Sequence, residues 1–181
     1  MILITGGARV GKTKLAISIC RNHGPNVLYL ASSKPSDDFF EKEIIRRSRK
    51  QRPFSWVIKE AFIGLDAILD EEGAKYDAIL IENIRVLVLN LMDYFGYNGA
   101  GIDLKTLTHN IIEEINRIIL AARRINPLVI FVTNEVNIHP PDIADSFKAQ
   151  MEILGRVNQQ LAAASSEVYL VASGIPVKIK P

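Results

Sequence analysis

Eight residues near the start of the chain, Gly6-Gly7-Ala8-Arg9-Val10-Gly11-Lys12-Thr13, match G-x-x-x-x-G-K-[ST] at every fixed position. The chemistry such a segment supports is capture of a polyphosphate. Its glycines let the backbone curl until successive N–H groups point at one anion, and a helix starting there adds its positive end. Lys12 then reaches the β- and γ-phosphates, and the Thr13 hydroxyl meets Mg²⁺. The spacing therefore predicts a site for ATP or GTP with Mg²⁺, built from all eight residues. The cation also needs a carboxylate at the end of a neighbouring strand. Asp77-Ala78-Ile79-Leu80-Ile81-Glu82 offers one, because four apolar residues run into an acid. Glu82 is expected to share Mg²⁺ with Thr13 and to serve the chemistry together with Lys12. Glu135, after Val129–Thr133, ends another apolar run and stays open between a substrate contact and a plain loop acid.

The elements that must position these residues alternate along the chain. Ile2–Thr5, Val27–Leu30, Asp77–Ile81, Leu128–Thr133, Val168–Ala172 and Val177–Lys180 read as strands, the last two joined around Gly174. Lys12 to Arg21, Asp37 to Lys50, Ala61 to Glu71, Val86 to Phe95 and Leu104 to Arg124 read as helices. A further helix is expected from Asp142 to Ala164, with Pro140-Pro141 at its start. Near-continuous apolar strands between helices indicate a mainly parallel sheet covered on both faces. The expected fold is α/β, a P-loop NTPase-type three-layer sandwich. Residues 1–181 carry no repeat or linker, so one domain is expected.

Composition bounds the partners. Across 181 residues, 48% hydrophobic and 23% charged content is that of a globular chain with a sizeable core. A formal net charge of +2 gives no general attraction for nucleic acid. Arg46, Arg47, Arg49, Lys50 and Arg52 are clustered, yet no aromatic platform accompanies them, so nucleic acid is not expected as a partner. Guanidinium groups bind phosphate oxygens in pairs, so Arg49 and Arg52 could clamp the triphosphate; the plainer reading is a solvated helix face. Cys20 is the sole cysteine, which excludes an internal disulfide. No apolar run approaches the roughly 20 residues of a membrane span, and no basic leader precedes Met1–Thr5. A cytoplasmic protein is expected.

Several further segments carry a resemblance. Tyr29-Leu30-Ala31-Ser32-Ser33, Arg52-Pro53 followed by Trp56, Val132-Thr133-Asn134-Glu135-Val136 and Gly155-Arg156-Val157-Asn158-Gln159 follow the glycine-rich loop in that order. Together they resemble the adenosylcobinamide kinase / adenosylcobinamide-phosphate guanylyltransferase family of cobalamin biosynthesis. The resemblance implies phosphorylation of the aminopropanol hydroxyl of adenosylcobinamide, then transfer of GMP by way of a histidine. It also implies a homo-oligomer, typically a trimer. It adds Ala31, Ser32, Ser33, Arg49, Arg52 and Glu60 to the expected nucleotide contacts, with Trp56 read as packing. Glu60 reads equally as a helix-start acid.

The chain departs from the family pattern at two places. Ser48 stands where the GMP-accepting histidine is expected, and His23, His109 and His139 lie elsewhere. A serine hydroxyl is mostly protonated and would form a stable phosphodiester, so it is a poor relay for GMP. After Glu135, Asn137-Ile138-His139-Pro140-Pro141 replaces a glycine-rich stretch, and His139 reads as a surface residue. The expectation is Mg²⁺- and nucleotide-dependent phosphorylation of adenosylcobinamide. The rivals are a kinase for another small alcohol and a nucleotide-binding protein without catalysis.

Overall fold

The central apolar runs assemble as one sheet because each is buried on both faces. The computed structural model describes residues 1–32, 52–97, 102–136 and 144–181. Its strands are β1 (Ile2–Gly6), β2 (Val27–Ala31), β3 (Val57–Glu60), β4 (Ala78–Glu82), β5 (Leu128–Val132), β6 (Glu167–Ala172) and β7 (Ile175–Lys180). Its helices are α1 (Lys12–His23), α2 (Leu65–Glu72), α3 (Ile84–Tyr94), α4 (Leu104–Arg124) and α5 (Asp145–Ala164). The sheet order is β3-β2-β4-β5-β1-β6-β7, parallel throughout except for the antiparallel β6–β7 pair. The α/β fold expected from the alternation is the fold found.

Strand alternation divides the core into two sides. Ile2 and Ile4, with Val27, Tyr29, Leu80 and Ile130, pack against Ala16, Ile17 and Cys20 of α1. Their neighbours Leu3, Leu28, Leu30, Ile79, Ile81 and Phe131 face the other way, against α2 to α5. Burying each such aliphatic side chain is worth about 1.5–3 kcal/mol, so the sheet is held from both faces, with the larger cluster on the side of α2 to α5. Helix α4 contributes a stripe at helical spacing, Leu107, Ile111, Ile115, Ile118 and Ala122, all buried. Its start is capped by Asp103, whose side chain accepts from the Thr106 N–H at 3.0 Å and the Thr106 hydroxyl at 2.6 Å.

Two elements differ from the sequence expectation. Strand β3 was not expected, and the helix expected from Ala61 begins at Leu65. The Ala61 N–H donates to the Ala31 carbonyl at 3.0 Å, which continues the β2–β3 ladder. Gly64 then has φ +70°, a left-handed conformation no helix can run through. The expected helices Asp37–Lys50 and the Asp142 start of α5 fall wholly or partly outside the described residues. Within them, α5 begins at Asp145 with Ala144 as its cap.

The β6–β7 hairpin turns at Ser173 and Gly174, with φ +50° and +86°, the primed geometry that suits the right-handed twist of a hairpin. That turn rests on the loop after β1. The Gly174 N–H donates to the Val10 carbonyl at 3.0 Å. Gly6 has φ +146°, and a Cβ added there would stand 2.4 Å from the Val171 carbonyl oxygen of β6.

Two outcomes follow from this packing. Gly6→Ala combines a forbidden φ with a backbone clash, and is expected to lower unfolding free energy by about 2 kcal/mol or more in urea titration. Cys20 is fully buried, and burial pushes its thiol up to about 12. At pH 8 a thiol reagent should leave the native protein unlabelled and should modify the single cysteine once denaturant is added.

Candidate functional site

The parallel register brings the strand ends into one row. Glu60 aligns with Ala31, Ala31 with Glu82, Glu82 with Val132, and Val132 with Ile4. The loop Gly6–Thr13 leaves β1 at this same edge, where ligands of open parallel sheets bind. Gly11 caps α1 with φ +102° and provides no side-chain acceptor, so the first N–H groups of the helix have no side-chain partner at that position. Arg9, exposed, takes a left-handed φ of +58°. Lys12 is buried and its ammonium donates to the Gly7 carbonyl at 2.6 Å, across its own loop. Burial holds its pKa below the ordinary lysine value, with Glu82 pulling in the opposite direction.

Glu82 is where the elements meet. Its carboxylate accepts from the Thr13 hydroxyl at the start of α1 and from the Tyr29 hydroxyl of β2 at 3.3 Å. It also pairs with the Arg52 guanidinium at 3.3 Å. The side chains of Arg52 and Glu82 are 2% and 12% exposed, so the pair is largely withdrawn from water. Removing one member of a buried pair of this kind costs about 3–5 kcal/mol, because the other charge is left uncompensated. Arg52 also lies over the Tyr29 ring, 3.5 Å from its centroid, a cation–π contact that fixes the guanidinium plane. Its Nε has no hydrogen-bond partner among the described residues.

The remaining expected residues fall around this centre. The Ser32 N–H donates to the Glu82 carbonyl at 2.9 Å, and the Ser32 carbonyl accepts from the Asn90 side chain at 2.7 Å. Ala31 and Glu60 lie in the aligned row, Glu60 partly buried at the end of β3. Trp56 is buried in the core on the α1 side, as its reading as a packing residue requires. Ser33, Ser48, Arg49 and His139 lie outside the described residues.

Four residues to which the sequence assigns no site role, Thr5, Tyr29, Thr133 and Asn158, are bonded here. The Thr5 hydroxyl donates to Glu135 at 3.0 Å, and the Glu135 N–H donates to the Gly6 carbonyl at 3.1 Å. Thr133 and Asn158 are hydrogen bonded at 2.7 Å, and Asn158 also donates to the Asn134 carbonyl at 2.9 Å. Tyr29 completes the set. A hydroxyl inside an otherwise apolar strand was the available signal for Tyr29 and Thr5.

Chemically, the arrangement joins a helix N-terminus, a buried ammonium and a hydroxyl–carboxylate pair within one loop. Oxygen donors such as Thr13 and Glu82 suit a hard cation like Mg²⁺, which takes few protein ligands and completes its shell with phosphate and water. No group of three or more His, Cys, Asp or Glu side chains gathers to hold a metal among the described residues. No described helix is long and apolar enough to cross a membrane.

A family model described as cobinamide kinase / cobinamide phosphate guanyltransferase matches residues 2–179. The chain is similar to the bifunctional adenosylcobalamin biosynthesis protein CobU of Salmonella typhimurium, at 41% identity over 99% of both chains. It is similar to the protein of the same name from Escherichia coli, at 38% identity over 99% of both. The bifunctional adenosylcobalamin biosynthesis protein CobP of Pseudomonas aeruginosa is 25% identical over 98% of this chain and 96% of its own. Among solved structures, an ATPase from the type III secretion system of pathogenic bacteria superposes with a TM-score of 0.58 at 12% identity. That match covers 94% of this chain and 50% of the ATPase, and the likeness is one of fold. On the extent of the family match and the two closely similar relatives, the chain belongs to the cobinamide kinase / cobinamide phosphate guanyltransferase family.

Proposed function

We propose that this chain, acting as one kinase-like domain over residues 1–181, transfers the terminal phosphoryl group of ATP or GTP to the aminopropanol hydroxyl of adenosylcobinamide. The observation that carries the reading is the convergence of Lys12, Thr13 and Glu82 on one glycine-rich loop at the strand ends. The loop amides of Gly6 to Thr13 and the start of α1 would cradle the phosphates. Lys12 would exchange its contact with the Gly7 carbonyl for the phosphate oxygens, where charge develops as the phosphoryl group moves. Thr13, with Glu82 directly or through water, would hold Mg²⁺, which when bound supplies charge neutralisation on the phosphates. Arg52 and Tyr29 would keep the Glu82 carboxylate aimed at the loop. Ala31, Ser32 and Glu60 would line the nucleotide's approach, with Ser33 and Arg49 assigned by resemblance alone. A homo-oligomer, a trimer by the same resemblance, is part of the reading.

The GMP-transfer half is proposed to be absent as a relay. Ser48 occupies the position of the expected histidine, and an unactivated hydroxyl cannot form the labile P–N bond that passes GMP onward. Mass spectrometry of products from pure protein, adenosylcobinamide, Mg²⁺ and GTP or ATP tests both statements. Adenosylcobinamide-phosphate as the sole corrinoid product is the expected result. Adenosylcobinamide-GDP would overturn the statement about Ser48, and no corrinoid product at all would overturn the kinase reading.

Lys12→Ala should lower kcat by about 10²–10³-fold, the usual effect of deleting one donor to developing charge, as measured by steady-state NDP release. The pH dependence has a definite sign. Burial favours the neutral amine, so unliganded Lys12 loses its proton below the ordinary 10.5. Phosphates bind the charged form. Nucleotide affinity from calorimetric titration should therefore fall as pH rises through the region below 10.5, and Lys12→Ala should remove that limb.

A further inference from the structure

Beside the glycine-rich loop, on the sheet face away from α1, lies a cavity of about 350 Å³. Leu3 and Thr5 of β1, Glu135 and Val136 after β5, and Asn158 and Gln159 of α5 line it. The cavity and the glycine-rich loop adjoin along the chain: Thr5 lines the cavity, and Gly6 opens the loop. The Glu135 N–H binds the Gly6 carbonyl at 3.1 Å, and the Thr5 hydroxyl donates to its carboxylate at 3.0 Å. Glu135 is thus pinned next to the loop by its own backbone while its side chain faces the cavity.

The two strand-end carboxylates beside the loop are differently committed. Glu82 receives Thr13, Tyr29 and Arg52. Among the described residues, Glu135 receives the Thr5 hydroxyl on one oxygen and the adjacent Val136 N–H at 3.3 Å on the other. It also remains exposed, so its second oxygen can meet an incoming hydroxyl. Asn158 is locked in place by Thr133 and by the Asn134 carbonyl, and among the described residues has one N–H and one lone pair left over. Apolar walls at Leu3 and Val136 with carboxamides opposite suit a short arm that carries both amide and alkyl groups.

We propose that this cavity is the acceptor subsite, and that Glu135 is the catalytic residue that accepts the proton of the acceptor hydroxyl. The inference rests on the kinase reading above and assigns it a substrate-binding site. A volume of about 350 Å³ lies at the small end of ligand pockets, so it admits the hydroxyl-bearing arm and leaves a corrin macrocycle outside. In the step, the arm's oxygen bonds to the γ-phosphorus as the bond from that phosphorus to the β–γ bridging oxygen breaks. The hydroxyl proton passes to Glu135, the nucleoside diphosphate departs, and the carboxyl later returns the proton to water.

The test compares wild type, Glu135→Gln and Val136→Trp by ester formation from adenosylcobinamide, with nucleotide affinity measured separately. Glu135→Gln is expected to reduce kcat by about 10²-fold or more, with nucleotide Kd unchanged. Val136→Trp, which fills the cavity, is expected to raise the acceptor KM about tenfold at unchanged nucleotide Kd. If wild type forms the ester and both variants match it, the subsite is overturned while the kinase reading stands. If wild type forms no ester, the kinase reading falls and the subsite falls with it. Unchanged nucleotide affinity shows that each variant is folded.

Discussion

A carboxylate at the end of an apolar strand must be compensated, and the compensation of Glu82 organises this protein's working edge. Three donors reach it from three parts of the chain: Thr13 opens α1, Tyr29 sits within β2, and Arg52 precedes β3. An ionised group withdrawn from water is tolerated only when such partners are in place. The requirement ties the loop after β1 to the ends of β2 and β4, although β1 and β4 are not neighbours in the sheet. Side-chain chemistry thereby does what backbone pairing does not: it fixes the distance across the intervening β5.

How much of this was legible in the sequence depended on how local each signal was. Lys12 and Thr13 are fixed by a contiguous motif, and Glu82 by an apolar run ending in an acid, so both sides of their contact could be named in advance. Strand β3 could not, because Val57-Ile58-Lys59-Glu60 is half polar and pairs on one side only. Its Lys59 is paired with Glu72 of α2, a contact that makes sense only once the two elements are side by side. Thr5 and Asn158 were missed for a related reason. Their partners, Glu135 and Thr133, are determined by β5 lying next to β1, and strand order is not written in any local pattern.

The proposed reading involves two kinds of chemistry. The residues it assigns to the phosphates, Lys12, Thr13 and Glu82, are built into the sheet and its first helix. The position expected to carry GMP, Ser48, lies outside the described residues. Arg52 is buried against Tyr29 rather than spread on a solvated face.

The place of β1 in the sheet also sets a schedule for the chain's own assembly. Ile2 pairs with Ile130 on one side and with Glu167 on the other, so the first strand made has no strand partner until the last third of the chain has emerged. Contacts of such long sequence separation form slowly, since the loop must close before they contribute anything. Meanwhile Ile2, Leu3 and Ile4 are an exposed apolar segment of the kind that invites aggregation or chaperone capture. The glycine-rich loop, although encoded early, completes its contacts only when the turn at Ser173 and Gly174 closes over Val10.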